Sequence, residues 1–420
     1  MSVLGLVLII VVLLLMRVNI ILVLAAATAY IHVVLAGSKM EFYYADIWQA
    51  IDREVLLPIP LFMLAGAVMT KGSLADRLIQ IMVALTAPIK GGLGVAAILS
   101  CSAFAAISGS STVTMLAIGS IMYPALLKEG YDKKFALGAL CAGGTLGMII
   151  PPSIPMILYG VVTETNVIHL FLAGVLPGLL LASMMAGYAF WVNRHRPSHR
   201  WDIDRIVVAV KRGIFALALP VILLGGIYSG YFTATESAVV VLAYALVIEL
   251  FIHRDLNFRD IVTVTLDTTK LLGTLLPLLA IAASLNAILE FDGVPERLVE
   301  AVTATVQDKW LTIIAINAVL LVIGCFVEVI SAIVILSNIL LPIAEAQGFD
   351  PVHFGVIMIV NLEIGFLTPP IGLNILIAMV AFRESFGLLV RSVLPFLAIM
   401  VVALAIITAV PWLSMALIPQ

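Results

Sequence analysis

The amino-acid sequence predicts an all-α polytopic membrane protein built from two inverted repeats, each holding a re-entrant helical hairpin and a proline-broken helix. Three observations carry this. Of 420 residues, 63% are hydrophobic and only 11% are charged, against roughly 25% charged in an ordinary soluble domain. Long uncharged stretches follow one another along the chain, enough for about ten to thirteen crossings at roughly 20 residues each. The second half then repeats the first at a constant offset, prolines and glycines included.

The same numbers exclude other classes. A net charge of −3 is too small for a nucleic-acid partner or a polybasic lipid-binding surface. Cys101, Cys141 and Cys325 each lie inside an apolar run and have neither disulfide nor zinc spacing, so they read as small packing residues. Residues 1–16 lack a basic n-region and a small-residue cleavage site, and read as a first membrane helix rather than a signal peptide.

The uncharged stretches are 1–16, 55–70, 91–127, 135–163, 165–193, 213–235, 271–289, 310–327, 329–344, 364–382 and 392–420. A further span, 18–38, lies between Arg17 and Lys39, with His32 its only titratable side chain. Residues 39–54 mix aromatic and charged side chains, as an amphipathic helix at the membrane interface would. The strongest basic cluster, Arg194 to Arg212, is expected to be a cytoplasmic loop by the positive-inside rule. These boundaries give N-terminal scaffold helices with an interfacial segment (1–54), a first repeat (55–193), the basic loop (194–212), further scaffold helices (213–270), and a second repeat with a C-terminal helix (271–420).

Residues 91–127 are too long for one span and are broken by Ser108-Gly109-Ser110-Ser111-Thr112, so a hairpin with its tip at the serines is expected. Pro151, Pro152 and Pro155 remove backbone donors within five residues and cannot sit in a continuous helix. In lipid, the freed carbonyls must be buried in protein or line a wet cavity.

Adding 218 carries Pro124 to Pro342, Gly130 to Gly348, Asp132 to Asp350, Gly147 to Gly365, and Pro151-Pro152 to Pro369-Pro370. It carries Ser110 to Glu328. Upstream, Leu74–Leu78 matches Val294–Leu298 at an offset of 220. Interrupted segments at corresponding places in two halves point to a transporter's binding site. An odd number of crossings between the halves would invert the second.

Each repeat is therefore expected to pair a hairpin tip with a broken helix. Ser108, Gly109, Ser110 and Ser111 lie at one tip, with Pro151, Pro152 and Ser153 at its broken helix. Helix N-termini suit a carboxylate, while unwound carbonyls and helix C-termini suit a hard cation such as Na⁺. In the second repeat the set is Glu328 with Thr368, Pro369 and Gly372. An acid inside an uncharged run is a functional candidate by default; Glu328 can coordinate a cation, carry a proton or meet substrate through water. Asn374 follows the second break, and its amide both donates and accepts; it is expected to face the same cavity as Glu328. Glu249 is expected at the interface, and Glu363 is a weaker candidate. No HExxH, GxSxG or phosphate-binding GxxxxGK[ST] occurs, which argues against an enzyme and against an ATP-driven pump in this chain.

These residues resemble the large membrane subunit of tripartite ATP-independent periplasmic (TRAP) transporters, the DctM-like family. The marks run along the whole chain: Pro60–Gly66, Ser108–Ser111, Gly147–Ile154, Gly225–Gly230 with Thr235–Ala238, and Leu367–Gly372. The resemblance implies a Na⁺-coupled secondary importer of an organic acid, such as a C4-dicarboxylate, in a bacterial inner membrane, with an elevator-type moving domain. It also implies two partners, a small four-helix membrane subunit and a soluble periplasmic binding protein. Where that family carries aspartate at the second tip, this chain has Glu328. The competing expectation is a proton-coupled carboxylate carrier using Glu328.

Overall fold

The structure, a computed structural model, describes residues 2–419 except 17, 19, 199, 306 and 307; the span boundary at Arg17 thus lies outside the described residues. Three helices come first, α1 (Ser2–Leu15), α2 (Ile20–Tyr30) and α3 (Met40–Ile51). The last of these falls within residues 39–54 and exposes Phe42, Tyr44 and Trp48. The first repeat follows as α4 (Pro58–Lys71), α5 (Leu74–Thr86), the hairpin α6 (Gly92–Ser108) and α7 (Ser111–Lys128), the broken helix α8 (Lys133–Ile149) and α9 (Ile154–Val162), and α10 (Val167–Asn193). Two further helices, α11 (Ile203–Tyr228) and α12 (Ala234–Val247), lead to α13 (Phe258–Phe291) and α14 (Val294–Thr305). The second hairpin is α15 (Lys309–Gly324) and α16 (Val329–Ala346), the second broken helix α17 (Pro351–Phe366) and α18 (Leu373–Phe382), and the chain closes with α19 (Phe386–Ala409) and α20 (Trp412–Met415).

Among the described residues, seven helices are long and apolar enough to cross a membrane, and two bent pairs qualify jointly: α4 with α5, at 70°, and α8 with α9, at 40°. No single helix runs through 91–127. Two apolar arms meet there at Gly109, in the left-handed conformation that favours glycine (φ +61).

Two sequence boundaries shift. The basic loop is shorter than 194–212, because Asp202 caps α11 by accepting from Arg205 N at 3.0 Å, satisfying an open amide of its first turn. The expected break at 270/271 falls inside α13, which runs 34 residues without interruption. Its early turns carry exposed charge, including the Asp267–Lys270 pair at 2.8 Å, so the helix continues past the apolar stretch.

The inversion follows from α10. At its C-terminal end the Arg196 guanidinium donates to the carbonyls of Glu129 and Gly130, at the base of the first hairpin (3.0 and 2.5 Å). Near its N-terminal end, Tyr159 of α9 donates to the carbonyl of Pro351 at 2.8 Å, which brings the base of the second hairpin to this end. At about 1.5 Å per residue, the 27 residues of α10 separate the two bases by roughly 40 Å. The hairpins therefore enter from opposite faces. The bases also match in detail: Gly130 and Gly348 share φ +75, and Arg196 lies over the Tyr131 ring as Lys309 lies over Phe349.

The core sits around α8 and α17. Every residue of Phe135–Ile149 and of Val352–Phe366 is buried, as expected for helices enclosed by others rather than by lipid. Gly147 and Gly365, equivalent in the repeat, let the hairpins seat against these helices. A Cβ on Gly147 would lie 2.4 Å from the Ser110 carbonyl, and one on Gly365 would lie 2.6 Å from Gly324 Cα.

Candidate functional site

The first hairpin tip is closed and polar inside. Ser108 and Thr114 share a hydroxyl contact of 2.6 Å. Ser110, in extended conformation, precedes α7. The tip meets the break between α8 and α9 directly, since Ile154 N donates to the Gly109 carbonyl at 3.3 Å. Only a glycine fits there, because a Cβ would sit 3.1 Å from the Pro152 carbonyl in a left-handed backbone. Ser153 caps α9: its Oγ accepts from Met156 N at 3.3 Å and donates to the Met148 carbonyl. The Pro151–Pro152 and Pro369–Pro370 peptide bonds are both cis. Ser108, Ser111, Pro151, Pro152 and Ser153 are all buried, and Ser110 half-buried.

The second tip is open. Glu328 precedes α16 and is exposed, with Ser331 its hydroxyl neighbour. Thr368 turns back to its own helix, donating to the Ile364 carbonyl at 2.6 Å. Pro369 is half-buried, Pro370 exposed, and Gly372 (φ +54) starts α18. Among the described hydrogen bonds none joins Glu328 to Thr368–Gly372. The expected pairing of tip and break is thus tight in the first repeat and loose in the second.

One expectation is corrected. Asn374 does not face the Glu328 cavity. Its Nδ2 donates to Ser111 Oγ, at the tip of the first hairpin, at 3.0 Å. The cause is that α18 packs against α7, while α9 packs against α16, so each restarting helix crosses to the other repeat's hairpin. Glu249, near the end of its span, is buried within the protein. Its Oε1 accepts from Ser73 N and Leu74 N at 2.9 and 2.8 Å, which caps α5 at its bend. Gly72 leaves room for that carboxylate, and a Cβ there would lie 2.2 Å from it.

Glu363 lies at the same junction, although its place in the chain carried little weight. It is fully buried on α17, beside the Ser111 hydroxyl. Both of its oxygens, and Oδ1 of Asn374, lack hydrogen-bond partners. Its sequence signal was an acid two residues before Gly365, in an otherwise apolar run. Buried acceptors without donors at an inter-repeat junction call for a proton or a cation, whereas the hydroxyl and carbonyl oxygens at the first tip are the ligand type a hard monovalent cation takes. A separate cluster, Glu249, His253 and Asp255, gathers possible ligands within 4.8 Å, but Arg77 pairs with Asp255 at 3.7 Å and already supplies positive charge.

Hairpins inserted from opposite faces onto two broken helices are the architecture of a multi-pass membrane transporter. Residues 7–413 match the family described as "Tripartite ATP-independent periplasmic transporter, DctM component". The chain belongs to that family, and is an integral protein of the inner membrane. It is 40% identical, over 88% of both chains, to a C4-dicarboxylate TRAP transporter large permease protein of Pseudomonas aeruginosa. It is 38% identical to an isethionate TRAP transporter permease protein of Oleidesulfovibrio alaskensis, over 91% of this chain and 61% of that one. The YdaH transporter of Alcanivorax borkumensis has a similar fold (TM-score 0.63, 12% identity, 89% and 88% of the two chains covered). Transporters of this family work with a small membrane subunit and a periplasmic binding protein.

Proposed function

We propose that this chain is the large permease subunit of a Na⁺-coupled importer of a carboxylate, a C4-dicarboxylate or a related organic acid, delivered by a periplasmic binding protein. The observation that carries the reading is the first tip: Ser108, the Gly109 and Ser110 backbone and Ser153 converge on a helix break, buried and rich in oxygen. Na⁺ would be held there by Ser108, Gly109, Ser110 and Pro151 oxygens, and at the second tip by Glu328, Thr368, Pro369 and Gly372. Na⁺ supplies the positive charge that a carboxylate needs in a dry site. The chain's own part is to fix the oxygens and to present the α7 and α9 N-termini, whose open amides suit an anion. Substrate would contact Ser108, Ser110, Ser111, Pro152, Ser153, Glu328 and Asn374.

In this reading α8, α9, α17 and α18 move with both hairpins as an elevator against the scaffold. The exposed aromatic side chains of α3 give the small subunit and the lipid headgroups a surface to meet. The test is uptake into liposomes holding this chain, the small subunit and the loaded binding protein. Uptake should require all three and stop when choline replaces Na⁺. It should depend on Na⁺ with a Hill coefficient above one. Uptake by this subunit alone, or unchanged in choline, refutes the reading.

A further inference from the structure

Glu363 is the thirteenth residue of α17, within a run that has no exposed residue from Val352 to Phe366. Neither carboxyl oxygen completes a hydrogen bond. No ion pair reaches it among the described residues. The charged groups on the elements packed around it lie at helix ends: Lys128 on α7, Lys133 and Lys134 on α8, Arg194 after α10, Lys309 on α15, Glu345 on α16, and Arg383 and Arg391 around α18 and α19. On α17 itself, Asp350 and His353 lie at the opposite end. Glu328, at the second tip, adds charge of the same sign. An ionised carboxylate in such a place has only the Ser111 hydroxyl beside it as a donor and no counter-ion among the described residues, and burying a charge so poorly matched costs several kcal/mol.

The neighbours suit the neutral form instead. Ser111 Oγ already accepts from Asn374 Nδ2. A hydroxyl oxygen has a second lone pair, which a carboxylic acid O–H can use. Asn374 Oδ1, buried and unpartnered, is another acceptor at the same junction. The acceptors here outnumber the donors, and one proton on Glu363 corrects that.

We propose that Glu363 is a proton-binding site: it holds a proton while the first hairpin tip is packed on α17 and α18, and gives it up to entering water when the Ser111–Asn374 contact opens. This places a protonatable group where the two repeats lock together, apart from Glu328 and from the oxygens assigned to Na⁺. It stands whether or not transport proves to be Na⁺-driven.

The test is infrared spectroscopy of the full chain in nanodiscs at neutral and mildly alkaline pH. Wild type should show a carbonyl stretch from a protonated carboxyl group that moves on transfer to D2O. Glu363→Gln should remove it, and Glu328→Gln should leave it in place. Glu363→Asp should displace the band without abolishing it, which keeps the test decisive if the Gln variant does not fold. Absence of the band in wild type, its survival in Glu363→Gln, or an unmoved band in Glu363→Asp overturns the proposal.

Discussion

Asn374 Nδ2, in the first turn of α18, donates to Ser111 Oγ, the first residue of α7, over 3.0 Å and 263 residues of chain. Both side chains are fully buried. The bond ties the restart of the second broken helix to the tip of the first hairpin, so the two repeats share one polar junction rather than two independent ones.

Replacing either residue by alanine leaves a buried partner unsatisfied, which costs about 1–3 kcal/mol. The double variant Ser111→Ala/Asn374→Ala removes both groups and should lose less than the two single losses combined. Groups in direct contact couple by roughly 0.5–3 kcal/mol. Chemical unfolding of the four proteins in one detergent measures this, and strictly additive losses would show that the bond contributes nothing.

Glu328→Gln keeps the volume of the second tip and removes its charge. Losing a charge-assisted contact costs about 1.5–3 kcal/mol, or roughly ten- to a hundredfold in affinity. The half-saturating Na⁺ concentration for uptake should rise by that factor, while Glu328→Asp retains activity. An unchanged Na⁺ requirement in the Gln variant would remove Glu328 from the ion site. Loss of pH dependence instead would make it a proton carrier.

Gly365→Ala should loosen the second hairpin. Its Cβ would lie 2.6 Å from Gly324 Cα, a backbone atom that cannot swing aside, and overpacking of this kind costs about 1–3 kcal/mol. Gly387→Ala is the control, since nothing lies within 4 Å of a Cβ there, and alanine favours the helix by about 1 kcal/mol over glycine. Equal melting temperatures for the two variants would contradict the close helix contact.

Glu384, in the connector between α18 and α19, accepts from Lys133 at 2.7 Å and Tyr123 at 2.8 Å. The Lys133 ammonium, helped by the Tyr123 hydroxyl, holds its carboxyl below the ordinary value of 4.5. Because the folded state binds this proton less readily than the unfolded one, the tether stabilises fully above that value and is lost as pH falls below it. Lys133 is half-exposed, so the ion pair contributes only about 0.2–1 kcal/mol. Glu384→Gln should therefore melt slightly below wild type at neutral pH and match it in acid. A gap that persists in acid would mean that the contact is not electrostatic.

The hairpin at Ser108–Ser111 could be read from the chain because 37 uncharged residues far exceed the roughly 20 of one crossing, and because glycine and serine mark its tip. The proline breaks were legible for the same reason: a missing donor is a local property. The crossing of α18 onto α7 was not. A hydrogen bond between Ser111 and Asn374 depends on how the repeats interlock, and the offset of 218 relates equivalent positions without saying which ones touch. The partners of Glu249 were hidden for a related reason: the bend at Gly72, folded onto it from another helix, supplies its two backbone donors.

The reach of α10 sets a limit on what seals this protein. Each hairpin arm has 16 to 18 residues, or about 24–27 Å of helix, well short of the roughly 40 Å strut beside it. Each tip therefore stops well inside the length of that strut. The insulation at the centre must come from short pieces belonging to four segments, two tips and two unwound proline turns, fitted edge to edge. A leak to small ions is then decided by a handful of atoms at the seam and not by a wall of helices, so a single lost methyl group there would matter more than several lost from the lipid-facing surface.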